Sequence, residues 1–244
     1  MCGRMVLIKH LNFDGTIGYT RMWTGKDAVD DIERLKKVFF GQSRFDIRPT
    51  EIIDVFVIDP KTQKHIVIDM KWGWKPEWTE GKPIMNTRKE GAAKNRLWSK
   101  AVRERRCVVP VTHFYEWQRR DDAPKNVPWM IKRKDHSHMY FAGLWISRKN
   151  EVTNEEITEV SIFTEPGNKL MTEIHNHGGN FGRQPVFIDE EKIPDWLDPT
   201  LNDAEKAMML LRPIEDGEYE AEMLEEIGND KTNTPPRPRQ QNLF

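Results

Sequence analysis

The chain has 244 residues, 37% of them hydrophobic and 32% charged, with a formal net charge of −1. That length suits one sizeable domain, or one domain plus a tail, and suffices to bury a real core. No apolar run reaches the length of a membrane span, Met5–Ile8 is too short for a leader, and two cysteines, Cys2 and Cys107, make no disulfide framework and fit a reducing cytosol.

In chain order, Met5–Ile8 reads as a short strand directly after the start. Apolar residues at Val29, Ile32, Leu35, Val38 and Phe39 predict a helix over Asp27–Phe40. The runs Ile52–Ile58 and His65–Met70 flank Asp59-Pro60-Lys61-Thr62 and predict a hairpin. Lys89–Arg106 predicts a basic amphipathic helix with Leu97, Ala101 and Val102 inward. Strands are expected at Cys107–Val111 and Phe114–Gln118, broken at Thr112-His113. A second hairpin is expected from Trp129–Lys134 and Met139–Ser147. Next come a strand at Val160–Thr164, a short helix at Gly167–Ile174 and a strand at Gln184–Ile188. Helical patterns follow at Glu191–Leu197 and Asp203–Leu211. Strands and helices do not alternate regularly, so the class is α+β with mainly antiparallel sheet.

Residues 1–212 read as one domain, and 213–244 as an acidic, Pro-containing flexible tail. Charge is divided accordingly: −5 from Glu215 onward and +4 before it. The cluster Lys94, Arg96, Lys100, Arg103, Arg105 and Arg106 gives a basic face compatible with phosphates, or simply a solvated helix face. The residues offer no zinc-finger spacing, and neither a metal nor a cofactor is expected.

The start of the chain carries the distinctive chemistry. If Met1 is removed, Cys2 bears a free α-amine and a thiol on adjacent carbons. Such an aminothiol condenses with aldehydes: the amine forms a Schiff base, the thiolate adds, and a thiazolidine closes. A site that does this on DNA needs an orienting polar group, proton donors and acceptors, cations and flat apolar groups. Asn86 in Ile84-Met85-Asn86-Thr87-Arg88 is a candidate, or the cap of a turn. Glu116 lies among aromatics in Phe114-Tyr115-Glu116-Trp117, where burial would raise its pKa toward neutrality; the bland reading is an edge strand facing solvent. His175 ends the short helix, with His177 as its competitor or both as loop residues.

Met1-Cys2-Gly3-Arg4, Arg48-Pro49-Thr50, the Trp-Gly-x-x-Pro-x-Trp of Trp72–Trp78 and Asn86-Thr87-Arg88 resemble the SRAP family (SOS response-associated peptidase, the abasic-site-processing proteins). So do Arg106-Cys107-Val108-Val109-Pro110, Phe114-Tyr115-Glu116-Trp117, Phe141-Ala142-Gly143-Leu144-Trp145, Ile174-His175 and Arg183-Gln184-Pro185, in the family's order. The resemblance implies a barrel-like core with flanking helices. It also implies a sensor of abasic sites in single-stranded DNA that cross-links them through Cys2 as a thiazolidine, in the DNA damage response. Peptidase-type removal of Met1 and lyase chemistry are implied as well. By position, Cys2 is the nucleophile, Asn86 orients its amine, and Glu116 and His175 handle protons. Arg4, Arg88 and Arg183 match phosphate-binding arginines, and Pro49, Trp72 and Trp117 match a base-stacking surface. Residues 175–185 depart from the family's His-x-Arg-Met-Pro run by an insertion and by Gln184 in place of Met. The alternatives are a thiol peptidase acting on peptides and a non-catalytic single-stranded-DNA-binding module.

The last residues, Gln240, Leu243 and Phe244, resemble the Gln-x-x-Leu-Phe peptide by which bacterial repair proteins dock on the sliding clamp. Docking there would concentrate the protein at replication forks; a cytoplasmic, nucleoid-associated monomer with no membrane partner is expected.

Overall fold

The computed structural model describes residues 3–7, 43–59, 61–76, 79–150 and 153–239. Cys2, the helix expected over Asp27–Phe40, and Gln240, Leu243 and Phe244 lie outside the described residues.

Two sheets hold the core. The first contains β1 (Arg4–Leu7), β2 (Arg44–Ile47), β7 (His113–Gln118), β8 (Val127–Arg133), β12 (Tyr219–Glu226) and β13 (Arg237–Pro238), in the order β13-β12-β8-β7-β1-β2. The second contains β3 (Ile52–Ile58), β4 (His65–Trp72), β6 (Arg106–Val111), β9 (Met139–Lys149), β10 (Glu156–Pro166) and β11 (Arg183–Pro185), in the order β11-β10-β4-β3-β6-β9. Because β9 also pairs with β10, the path β10-β4-β3-β6-β9 closes into a small barrel. β5 (Asn86–Arg88) runs parallel to β10 beyond the end of β4. The helices are short: α1 (Trp98–Glu104), α2 (Lys169–Ile174), α3 (Ile193–Leu197) and α4 (Ala204–Met208). The α+β, mainly antiparallel architecture expected from the sequence is the one observed.

Alternation along the strands explains where each face goes. On β7, Phe114 and Glu116 point to the core shared with Met5, Ile131 and Phe141, whereas Tyr115 and Trp117 point the other way. There they meet a second, smaller cluster of Val6, Met130 and Leu224. The first sheet is thus apolar on both faces.

Four expectations are corrected. Trp129–Lys134 and Met139–Ser147 do not form a hairpin: β8 pairs with β7 and β12, while β9 pairs with β6 and β10. Met139–Leu144 is buried throughout, and a run with no polar face needs cover on both sides, which the barrel supplies. The basic helix shrinks to α1, with Lys94, Asn95, Arg96 and Leu97 exposed in the turns before it. Arg106 leaves the expected basic face. It is buried over the Trp196 ring and donates to the carbonyls of Val102, Arg103, Trp196 and Asp198. Finally, residues read as tail supply β12, which pairs with β8 over five residues and buries Tyr219 and Leu224. Its acids ride on the alternation, and Glu220 is paired with Lys132 at 2.9 Å.

Candidate active site

The start of β1 is fixed beside β7. Arg4 pairs with Tyr115 and Met5 with Phe114, so the antiparallel register brings Gly3 toward Glu116. The Arg4 guanidinium lies 5.5 Å from the centre of the Trp117 ring, the diagonal neighbour on the same face. It also reaches Asp46 at 3.2 Å. Asp46 is 4% exposed and is held in turn by the Arg48 guanidinium. This acid, absent from the sequence-based candidates, anchors the residue that launches β1. Its signal was there: one carboxylate in the apolar run Phe45-Asp46-Ile47, two residues before Arg48.

Glu116 is 3% exposed, on the core face of an interior strand rather than on an edge. Burial pushes its carboxyl up to about 8, opposed by the Trp117 N–H. It is therefore largely protonated at neutral pH.

His175 caps the C-terminus of α2, whose first turn is closed by the Asn168 side chain accepting from Met171 N. The helix packs on the end of β7, where Gln118 donates to Glu173 O at 3.1 Å and Arg119 N donates to Asn176 Oδ1 at 2.9 Å. That packing brings His175 to the Glu116 side of the sheet. His175 is 8% exposed, with Nδ1 3.2 Å from Arg183 O. Burial pushes it down to about 4, so the ring is neutral at pH 7. His177 instead engages Asn126 through Nε2 at 2.8 Å, out in the loop.

Asn86 opens β5 opposite Ile162 and is half-buried, a strand position rather than a turn cap. Thr87 turns inward to Ser161 Oγ at 2.8 Å, so Asn86 and Arg88 share the other face. Arg88 is exposed and donates to Asn180 Oδ1 at 2.8 Å, tying β5 to the loop after His175.

The remaining candidates divide. Trp117 and Pro49 are half-buried. Trp72 is fully enclosed, and its Nε1 donates to Met85 O at 3.1 Å. It offers no face to a base; it fixes the carbonyl just before Asn86. Its backbone also accepts from Thr50 N at 2.8 Å, which stitches the Pro49-Thr50 turn to the barrel. Arg183 is 11% exposed, bonded to Glu90 and to Thr164 O, so it braces β11 rather than presenting a cation to solvent. Cys107 is fully buried and its thiol is pushed well up by that burial. Among the described residues no three His, Cys, Asp or Glu side chains cluster as a metal site would.

A family model described as SOS response associated peptidase (SRAP) matches residues 1–229. The chain is 29% identical over 196 residues to the abasic site processing protein YoqW of Bacillus subtilis, covering 79% of this chain and 83% of that one. It is 26% identical over 239 residues to YoaM of the same organism, also described as an abasic site processing protein, covering 96% and 95%. In fold it matches a phage-related protein of Bordetella bronchiseptica with a TM-score of 0.68 at 21% identity, covering 96% of this chain and all of that one.

Proposed function

From the premise that this chain belongs to the SOS response associated peptidase (SRAP) family, we propose that it captures abasic sites in single-stranded DNA as a thiazolidine on Cys2 after loss of Met1. The observation that carries this reading is a buried, protonated acid, Glu116, on the strand that pairs with the start of β1, and a buried, neutral base, His175, on the helix packed against that strand's end. Relatives described as abasic site processing proteins support the substrate.

The reaction uses the open-chain aldehyde of the abasic sugar. His175 takes the proton of the anomeric hydroxyl as the hemiacetal opens and passes it to the departing ring oxygen, which becomes the 4′-hydroxyl. The Cys2 amine adds to the aldehyde carbon, and Glu116 gives its proton to the hydroxyl that leaves as water and takes one back from the iminium nitrogen. The Cys2 thiol then adds across the resulting C=N bond, its proton ending on nitrogen, and the ring closes with one water released overall. Asn86 orients the amine, and the Arg4 and Arg88 guanidiniums face phosphate. Cys107, sealed in the core, cannot supply the thiol.

The test is a denaturing gel of the protein with single-stranded DNA carrying one abasic site. A slow covalent band is expected, absent in Cys2→Ala and absent when one residue precedes Cys2. Peptide cleavage without a band would favour a thiol peptidase; DNA binding without a band would favour a simple binding module.

A further inference from the structure

The loop from Asn176 to Gly182 holds Phe181 in solvent, 64% exposed. Much of the stabilisation that burying a Phe side chain ordinarily brings is forgone here. The strongly exposed large hydrophobics among the described residues are Ile52, Leu97, Phe181 and Met209, of which Phe181 alone is aromatic.

The ring is displayed by a tethered loop. Asn176 accepts from Arg119 N at 2.9 Å and donates to Arg119 O at 3.0 Å. His177 bonds Asn126, Asn180 accepts from Arg88, and Phe181 N donates to Gly178 O at 3.3 Å. Gly182 N closes the loop on His175 O at 2.7 Å, and Gly167 N donates to Gly182 O at 2.8 Å. Gly178 and Gly182, at φ 88° and 66°, take the left-handed geometry that this tight return requires. The side chain just before Phe181 therefore grips Arg88. A guanidinium has five donors, and the Asn180 bond uses one of them. A flat apolar face beside an exposed cation is the pairing from which single-stranded nucleic-acid grooves are made.

We propose that Phe181 is a base-stacking residue, on which the nucleobase next to the abasic sugar lies while Arg88 holds the adjoining phosphate. This rests on the single-stranded-DNA reading above and adds a residue that positions the strand against His175.

The test uses full-length protein and a single-stranded oligonucleotide bearing a tetrahydrofuran abasic analogue, which cannot cross-link, with 2-aminopurine on one side of it or the other. Binding should quench the fluorophore at one flanking position. Phe181→Ala should remove that quench and weaken binding about tenfold. Phe181→Trp should retain both, and neither change should alter the slope of log affinity against log salt, which counts phosphate contacts. An unchanged affinity and quench in Phe181→Ala overturns the proposal. So does Phe181→Trp matching the Ala variant, or a changed salt slope, because either makes the ring a structural prop for Arg88. The covalent band on a true abasic site is read separately. If it forms and Phe181 is indifferent, only this inference fails; if Phe181 matters and no band forms, the cross-linking reading fails instead.

Discussion

Replacing Glu116 by Gln examines the electrostatics of the site apart from its chemistry. The folded carboxyl titrates at about 8, against an ordinary 4.5. Between those values the unfolded chain gives up the proton while the folded chain keeps it. The stability that the protonated form confers is therefore complete below 4.5 and drains away as pH rises toward 8. Over about three pH units, at about 1.36 kcal/mol each, the loss by pH 7.5 is ~4 kcal/mol. For a chain of this size a kcal/mol moves Tm by roughly 2–4 °C. Gln cannot ionise, so the variant escapes this loss. The difference in Tm between Glu116→Gln and wild type, followed by circular dichroism, should therefore rise by about 10 °C from pH 5 to pH 7.5. Any pH-independent cost of the amide cancels in that comparison. A difference equal at both pH values would mean that the carboxyl is not held protonated, and the assignment of Glu116 as an acid would fall with it.

Asp46→Asn should loosen Arg4 and cost roughly 2 kcal/mol by chemical denaturation, because it breaks a partly buried ion pair; an unchanged midpoint would remove Asp46 as the anchor of β1. His113 is buried and pushed down to about 4, mainly by that burial; its contribution is full above its ordinary 6.5 and lost as pH falls through 4. His113→Gln should therefore unfold at lower pH than wild type, and an identical acid transition would contradict this. A chain ended at Arg212 loses β12 and the burial of Tyr219 and Leu224, about 2–3 kcal/mol each, and leaves β8 as an open edge. It should lose its near-ultraviolet dichroism and aggregate, whereas a soluble, cooperatively folded product would make β12 dispensable. The proposed clamp peptide predicts that purified sliding clamp retains the full chain but not one lacking residues 240–244; equal retention defeats it.

What the sequence made legible was local. Ile52–Ile58 and His65–Met70 carry β-branched residues around a turn, and they pair as expected because hairpins are decided by adjacent residues. The barrel-like core was expected from the family resemblance and not from local patterns, because its closure depends on β9 having two partners far apart in the chain. The acids from Glu215 onward concealed β12, since composition outweighs a period of two when every second residue is charged. At the site, residue types gave Glu116 and His175. Burial decided their protonation, and burial is a property of the assembled sheets. Trp72 and Arg183 carry types suited to DNA, yet hydrogen bonds to Met85, Glu90 and Thr164 commit them to the scaffold. A residue's chemistry can be read from its letter, but its availability cannot.

The protonation of Glu116 bears directly on the proposed nucleophile. An α-amine has an ordinary pKa of about 8, and an ammonium cannot attack an aldehyde. In the proposed site an ionised Glu116 would hold it as ammonium, so the ion-paired and neutral forms of the two groups share one proton count but differ in reactivity. Burial disfavours the ion pair and favours the neutral acid with the neutral amine, which is the reactive combination. The cross-linking rate of wild type should then pass through a maximum: it rises as the charged pair of groups loses its first proton and falls as the second leaves Glu116. Glu116→Gln has no second proton to lose. Its rate should be lower, by ~100-fold for a missing general acid, and should climb to a plateau with no descending limb. A bell-shaped profile that survives the substitution would place the acid elsewhere.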